Sequence, residues 1–408
     1  NLLLLTPLIF FPLFSDLYSL PKTVYISAVS LFMVVRLFLL EDKARYPLFG
    51  PIALFLLADL LSLKNAVNYY EWFFAFSIDL TGVVVFYYVV NFLRPRNTEK
   101  LLNQFVMVIA VMSVVSLTAY WFGWPGYFAG FHGGKGGPMG NPGFAAPLVA
   151  MALVIAFCQV IQANLFFIPY MAVLLAHLTI TGNRASVGAW TTVFFFGMIY
   201  QKACKSSLVF NMMVYGLVFL LLCFILMLQV NLSILTLDHR SSWWKGSLMM
   251  ADSYPVFGVG RGNWNMIYPM YALATGDKTM DKLEINLSPG RGDFLSKTFI
   301  NAAHNDYLQM LAEVGPLGLA ALLWFMWQLI PRGIVADKAL GIYLAWLILP
   351  LVALFSFPFQ IAELSVFFWL FSGIVALDRL QISEAPVPWQ KALVPRPLPM
   401  IRDEGTGY

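Results

Sequence analysis

Apolar runs long enough to cross a lipid bilayer follow one another along almost the whole chain. A transmembrane helix needs about 20 mostly apolar residues, and twelve such runs lie near 2–20, 23–40, 47–63, 72–93, 101–122, 143–163, 165–181, 187–201, 207–230, 307–330, 339–357 and 360–377. Of all residues, 60% are hydrophobic and only 11% are charged, whereas soluble domains are about 25% charged. The sequence therefore predicts an all-α polytopic membrane protein with about twelve transmembrane helices, and it excludes a water-soluble enzyme or a nucleic-acid-binding protein.

The distribution of lysine and arginine predicts how the chain is oriented. With the N-terminus in the cytoplasm, the short outer loops contain only Lys22, Lys64, Lys135 and Arg184. The inner segments contain Lys43, Arg45, Arg94, Arg96, Lys100, Lys202, Lys205, Arg332, Lys338, Arg379, Lys391, Arg396 and Arg402. Because cytoplasmic loops are enriched in basic residues, we expect both termini in the cytoplasm.

One long polar connection divides the predicted helices into two groups. Residues 1–230 hold transmembrane helices 1–9, residues 231–306 form a loop on the outer side, residues 307–380 hold helices 10–12, and residues 381–408 form a proline-rich cytoplasmic tail. The loop is rich in aromatic residues, which predicts a folded helical cap and not a floppy linker. Its residues Trp243, Trp244 and Trp264 would either stack on a bound sugar or hold the loop against the bilayer, and we favour the second interpretation.

The segment that enters the tenth predicted span carries several polar residues. Asn301 or Asn305 can cap this helix, and Asp306 is favourable in its first turn. His304 stands at the membrane boundary, where it is either an interfacial capping residue or a general base, since an imidazole titrates near neutral pH. Glu313 would lie about 13 Å deeper, and we expect it to have a structural role.

Three arginines are expected on the same side of the membrane as His304. Arg184 lies in the turn TGNRAS, Arg240 in HRSSWW and Arg261 in GVGRGNW, where glycines would let a backbone or a bulky ligand approach closely. Each alone suits a headgroup anchor or a loop brace, but a guanidinium group also binds phosphate through paired hydrogen bonds. Together they predict a pocket for a phosphorylated lipid whose tail stays in the bilayer.

Several motifs resemble those of the O-antigen ligase family, which shares a superfamily with O-antigen polymerases and bacterial O-oligosaccharyltransferases. The motifs are GNPGFAAP, TGNRAS, RSSWWKGSLMMADSYPVFGVGRGNW and AHNDYLQMLAEVGPLGL, which lie between about 140 and 320. Gly143 stands where the first motif of that family would have a second asparagine.

The resemblance implies a GT-C-like fold and an inverting, metal-independent glycosyltransferase that needs no cofactor. Such an enzyme would transfer a glycan from undecaprenyl diphosphate to a sugar of lipid A-core during lipopolysaccharide biosynthesis, at the periplasmic face of the bacterial inner membrane. His304 would be the base, Arg184 and Arg261 would bind the diphosphate, and Arg240 and Arg291 are further candidates for that role. The supporting residues would be Asn141, Asn183, Asn305, Asp306, Tyr307 and Glu313. Metal dependence is disfavoured because the outer segments contain no DxD, HExxH or CxxC arrangement.

Two other functions remain open from the sequence. An O-antigen polymerase would use the same donor with an undecaprenyl-linked acceptor. A flippase or transporter of lipid-linked glycans would place charged residues near the middle of the bilayer, where Asp79 and Glu313 are the candidates.

Overall fold

The structure is a computed structural model that describes residues 2–11, 17–39, 44–129, 132–204, 237–276, 302–331, 335 and 337–384. Within those ranges the chain forms helices and no strands, which confirms the all-α prediction for this part of the protein. The α-helices, numbered in chain order, are α1 (Ser19–Phe38), α2 (Phe49–Ser62), α3 (Tyr69–Phe92), α4 (Thr98–Phe122), α5 (Gly126–Ala129), α6 (Pro142–Ile161), α7 (Ile168–Thr181), α8 (Arg184–Cys204), α9 (Leu237–Ser253), α10 (Trp264–Ile267), α11 (Pro269–Thr275), α12 (Asp306–Leu329), α13 (Asp337–Val352) and α14 (Ala362–Glu384).

Five of these helices are long and apolar enough to cross a membrane, namely α1, α3, α4, α6 and α12. Two shorter apolar helices lie at Leu165–Thr181 and Ala339–Val352. These helices indicate a membrane protein, while the total of twelve spans stays a prediction. The predicted span near 207–230 lies outside the described residues.

The predicted first span near 2–20 is not one helix in the structure. A short 3-10 helix covers Leu2–Leu8 and contains Pro7, residues 9–11 are not helical, and α1 begins only at Ser19. Pro7 helps to explain the difference, because proline has no backbone N–H and its ring clashes with the preceding helical turn. Hydrophobicity alone therefore predicts a single span where the helix is interrupted.

The helix bundle is organised around α6, in which every residue from 145 to 156 is buried. This helix packs against α4, α7, α8 and α13, while α3 packs along α14 and α2 along α12. Small side chains such as Ala145, Ala150 and Ala152 let neighbouring helices approach α6 closely, as is common inside membranes. The N-terminal end of α6 is thereby held rigidly among its neighbours, and that end carries the site described below.

Helices α9 to α11 form a separate apolar cluster that rests on α12. The cluster includes Met250, Trp264 and Tyr268, and it reaches Ala303 and Ala312. Trp264 is only 1% exposed, and its indole N–H donates to Ser247 Oγ at 2.8 Å. Neither expected role of this tryptophan was right, because its ring lies inside the cluster and faces neither a sugar nor the bilayer.

Candidate functional site

A cavity of about 860 Å³ lies where the N-terminal ends of α6 and α8 meet α9. Its remaining wall is formed by His304, two residues before α12, and by residues 351–357 at and after the end of α13. The predicted site residues that line it are His304, Arg184, Arg240, Asn141 and Asn183. The fold thus brings together residues that lie up to 163 positions apart in the sequence (304 minus 141).

Three of the described helices begin at or beside this cavity with an asparagine at the start. The Oδ1 atom of Asn141 accepts from the backbone N–H of Gly143 at 2.7 Å, and that of Asn183 accepts from Ser186 at 2.8 Å. Asn305 caps α12 by accepting from the N–H of Leu308 at 3.0 Å. Because the N-terminal end of a helix carries partial positive charge, the three helix starts favour an anion in this region.

Arg184 and Arg240 add two full positive charges to the same wall. Arg184 is the first residue of α8, and Arg240 approaches it from α9. Burial, and then the repulsion from Arg184, lower the pKa of Arg240. Among the residues that the structure describes in this lining, none is an aspartate or a glutamate.

The His304 side chain is held between two aromatic rings. Its imidazole stacks on the indole of Trp243 with ring centroids 5.1 Å apart, and the ring of Phe357 meets it edge-on at 4.8 Å. Burial, and then the charge of Arg240, lower the pKa of His304 to about 4. The imidazole is therefore neutral at pH 7 and can accept a proton.

The backbone of His304 adopts a left-handed conformation with φ of 53°. Few residues other than glycine adopt such angles, and in folded proteins they often mark functional positions where the surroundings hold the chain. The neighbouring residues Ala302 and Ala303 are both buried. His304 is thus presented to the cavity from a firmly packed segment.

The supporting residues around His304 fasten the start of α12 to the segment 350–360 and do not line the cavity. Asp306 accepts from the N–H of Phe359 at 2.7 Å and from Gln360 Nε2 at 3.1 Å. The hydroxyl of Tyr307 donates to the carbonyl of Pro350 at 2.8 Å. Asp306 and Tyr307 therefore shape the cavity wall indirectly, by fixing the chain on either side of Phe357.

Arg261 lies on a loop that packs directly against a break in α12. Pro316 has no N–H that could donate to the carbonyl of Ala312 in the helix. The N–H of Val259 donates to this carbonyl instead, at 2.8 Å. A side chain at Gly258 would collide with the backbone of Glu313, and Gly258 has φ of 66°. Gly258 therefore permits the backbone of the loop to approach the backbone of α12 closely, and it does not make room for a bulky ligand.

The guanidinium group of Arg261 points into the bundle and does not line the cavity. Its Nε donates to Asp79 Oδ2 at 2.8 Å, and its Nη1 donates to Glu313 Oε2 at 2.7 Å and to Gln360 Oε1. The Arg261 side chain is 1% exposed. The structure thus corrects the grouping of Arg261 with the other arginines, because this side chain braces the fold. Arg291 lies outside the described residues.

Sequence reasoning missed three residues that shape the surroundings of His304, namely Phe357, Gln309 and Gln360. Gln309 precedes Glu313 by four positions and so shares a helix face with it, which is a signal the sequence does contain. Phe357 and Gln360 lie 53 and 56 positions after His304 in the chain, and no local pattern connects them to it.

The cavity combines a neutral imidazole with two guanidinium groups and three helix starts. This arrangement suits a reaction in which a hydroxyl loses a proton while negative charge develops on a neighbouring phosphate group. Comparison of the chain with known protein families and with curated proteins found no match.

Proposed function

We propose that the protein is an O-antigen ligase, which transfers a glycan from undecaprenyl diphosphate to a sugar hydroxyl of lipid A-core. The observation that carries this proposal is that His304, Arg184 and Arg240 line one cavity. The motif resemblance supplies the identity of the donor and the acceptor. The same resemblance and the distribution of basic residues favour the periplasmic face of the inner membrane as the location of the cavity.

The proposed reaction is a single inverting displacement. The neutral imidazole of His304 accepts the proton of the acceptor hydroxyl, whose oxygen attacks the anomeric carbon of the donor. The bond from that carbon to the diphosphate breaks on the opposite side, and the electron pair leaves with undecaprenyl diphosphate. Arg184 and Arg240 stabilise the charge that develops on the leaving group, together with the helix starts near Asn141 and Asn183.

The apolar flank of the cavity suits the polyprenyl chain of the donor. Leu354 and Phe355 line the cavity and are 39% and 47% exposed. Large apolar side chains that remain exposed beside a charged pocket match a ligand with an anionic head and a hydrocarbon tail. The diphosphate would then lie against the arginines while the tail leaves along these side chains.

The decisive experiment is a transfer assay with purified protein. Undecaprenyl-diphosphate glycan and lipid A-core are mixed with the protein in the presence of EDTA and without ATP, and the glycosylated core is measured. The proposal expects transfer by the wild type and a loss of about 10²–10⁴-fold in His304→Ala, the range typical of a general base. His132→Ala is the matched control, because His132 is exposed and does not line the cavity.

The same assay distinguishes the alternatives. Elongation of the lipid-linked glycan without transfer to the core would identify an O-antigen polymerase, which could use the same cavity. A flippase would move the donor across a vesicle membrane without changing it. Asp79 and Glu313, the candidates for a transport function, both bind Arg261 in the buried cluster, and this engagement favours the transferase over the flippase.

A further inference from the structure

We propose that Gln309 and Glu313, braced by Arg261, are positioning residues that hold His304 in its reactive place. This inference rests on the proposed function, since it concerns the base of that reaction. None of the three side chains lines the cavity, and they act through the backbone of the residue before His304. The contacts that carry the inference form one continuous chain of hydrogen bonds.

The series of hydrogen bonds begins at the backbone next to His304. The N–H of Ala303 donates to Gln309 Oε1 at 3.0 Å. The other end of the same amide, Gln309 Nε2, donates to Glu313 Oε1 at 3.0 Å. Gln309 therefore connects the segment before α12 to a side chain one helical turn further along α12.

Glu313 is itself fixed from two other directions. Its Oε2 atom accepts from Arg261 Nη1 at 2.7 Å, and its Oε1 atom also accepts from the N–H of Trp264 at 3.3 Å. Arg261 is anchored on α3 by Asp79 at 2.8 Å. Gln309, Glu313 and Arg261 are 3%, 0% and 1% exposed, so water competes little for these bonds and the chain is rigid.

A second branch from Arg261 reaches the other side of the imidazole. The Nη1 atom of Arg261 also donates to Gln360 Oε1, and Gln360 Nε2 donates to Asp306 Oδ1 at 3.1 Å. Asp306 accepts from the N–H of Phe359 as well. These bonds fix the segment that carries Phe357, whose ring meets His304 at 4.8 Å.

The two branches explain how an unfavourable backbone conformation persists at His304. A non-glycine residue with φ of 53° stays in place only when its surroundings hold it there. Releasing the N–H of Ala303 would leave a buried donor unsatisfied and let the chain relax. Displacement of a reacting group by about 1 Å can slow a reaction by about 10²-fold, so the loss of this bond should reduce turnover.

The test is Gln309→Met, which keeps the length of the side chain and removes both hydrogen bonds. We expect kcat to fall about 10- to 100-fold. KM for the lipid-linked donor should stay within about threefold, because Arg184 and Arg240 lie on other helices and keep their places. The rate at which diethyl pyrocarbonate modifies His304, measured by peptide mass spectrometry against the exposed His132, should change as well.

The matched control is Gln159→Met on α6. Gln159 also donates and accepts, with Asn103 at 3.1 Å and Asn164 at 3.4 Å, and it lines a different cavity of about 300 Å³. It lies about 22 Å along α6 from Phe144. We expect wild-type kcat and wild-type modification of His304 in this variant.

A swapped pair keeps the inference testable if Gln309→Met does not fold. Gln309→Glu alone places two carboxylates together, while Gln309→Glu combined with Glu313→Gln retains an acceptor for Ala303 and one carboxylate in the chain. The combined variant should recover more kcat than either single variant. No recovery, or a Gln309→Met protein with wild-type kcat and wild-type modification of His304, would overturn the positioning role.

The proposed function and the positioning role fail in different ways. Absence of transfer by the wild-type protein would refute the ligase proposal. In that case, the rate of His304 modification in Gln309→Met would still show whether Gln309 controls the place of the imidazole. A wild-type protein that transfers glycan, together with an unaffected Gln309→Met variant, would refute the positioning role alone.

Discussion

The imidazole of His304 lies nearly parallel to the indole of Trp243, with 28° between the ring planes and 5.1 Å between the centroids. Trp243 lies one helical turn after Arg240 on α9, so the same face of this helix carries the stacking ring and one of the cavity cations. The pair of residues therefore places the imidazole next to the arginines of the cavity wall. An anion bound at Arg240 would change the pKa of His304, because the charge of Arg240 acts on the imidazole.

This coupling predicts two different pH profiles. In the free protein, burial and then Arg240 lower the pKa of His304 to about 4. The base is neutral above that pH, so kcat/KM should keep its value down to about pH 5 and fall below it. A bound diphosphate would offset the charge of Arg240 and raise the pKa of His304, so the acid limb of kcat should lie at higher pH. A limb of kcat/KM near pH 6.5 would contradict this account.

Arg240→Gln tests the electrostatic cause of the lowered pKa. Removal of the cation should raise the pKa of His304 in the free protein and move the acid limb of kcat/KM upward. The shift will be partial, because burial is the larger cause. Arg184→Gln is the control, and it should move the limb less, since Arg240 is the charge that acts on His304.

Arg184 and Arg240 should also determine the affinity for the donor. A hydrogen bond to a charged group contributes about 1.5–3 kcal/mol, so Arg184→Gln and Arg240→Gln should each weaken donor binding by about 10- to 150-fold. Lysine keeps the charge but lacks the planar guanidinium group. The affinity of Arg184→Lys for the donor should therefore lie between those of the wild type and Arg184→Gln. Binding of undecaprenyl diphosphate can be measured by microscale thermophoresis. Arg36→Gln, on the exposed face of α1, should bind as the wild type does.

Much of this site could be predicted from the sequence, and the part that could not has a physical reason. Helix boundaries such as those of α4 and α6 follow from apolar runs in the sequence. The ends of these and other apolar runs carry the polar residues Asn141, Asn183, Arg184 and His304. Arg261 resembles the other arginines in its local pattern of glycines and polar residues. Its partner Asp79 lies 182 positions earlier, and only the fold reveals that the guanidinium is already occupied.

Arg261 should therefore affect stability where Arg240 does not. Arg261→Met leaves Asp79 and Glu313 buried without their cation, and a third carboxyl group, that of Asp59, also interacts with Arg261. Breaking a buried ion pair in this way costs about 3–5 kcal/mol. Thermal unfolding in detergent should show a much lower melting temperature for Arg261→Met than for the wild type. Arg240→Met should melt close to the wild-type temperature, because removal of Arg240 relieves its repulsion with Arg184. Equal melting temperatures of Arg261→Met and the wild type would refute the bracing role.

Gly258 provides an independent test of how Arg261 is held. The Cβ of an alanine at this position would collide with the backbone of Glu313, and the φ of 66° is itself unfavourable for alanine. We expect Gly258→Ala to move the loop away from α12, which withdraws the N–H of Val259 from the carbonyl of Ala312 and the guanidinium of Arg261 from its carboxylates. The free energy of unfolding should fall by at least about 1–3 kcal/mol.

Gly188→Ala is the matched control, because Gly188 lies within α8 and no other atom lies within 4 Å of its added Cβ. Alanine is the better helix former by about 1 kcal/mol, so Gly188→Ala should melt at the same temperature as the wild type or higher. If both variants melted alike, the close contact between this loop and α12 would not be what holds Arg261 in place.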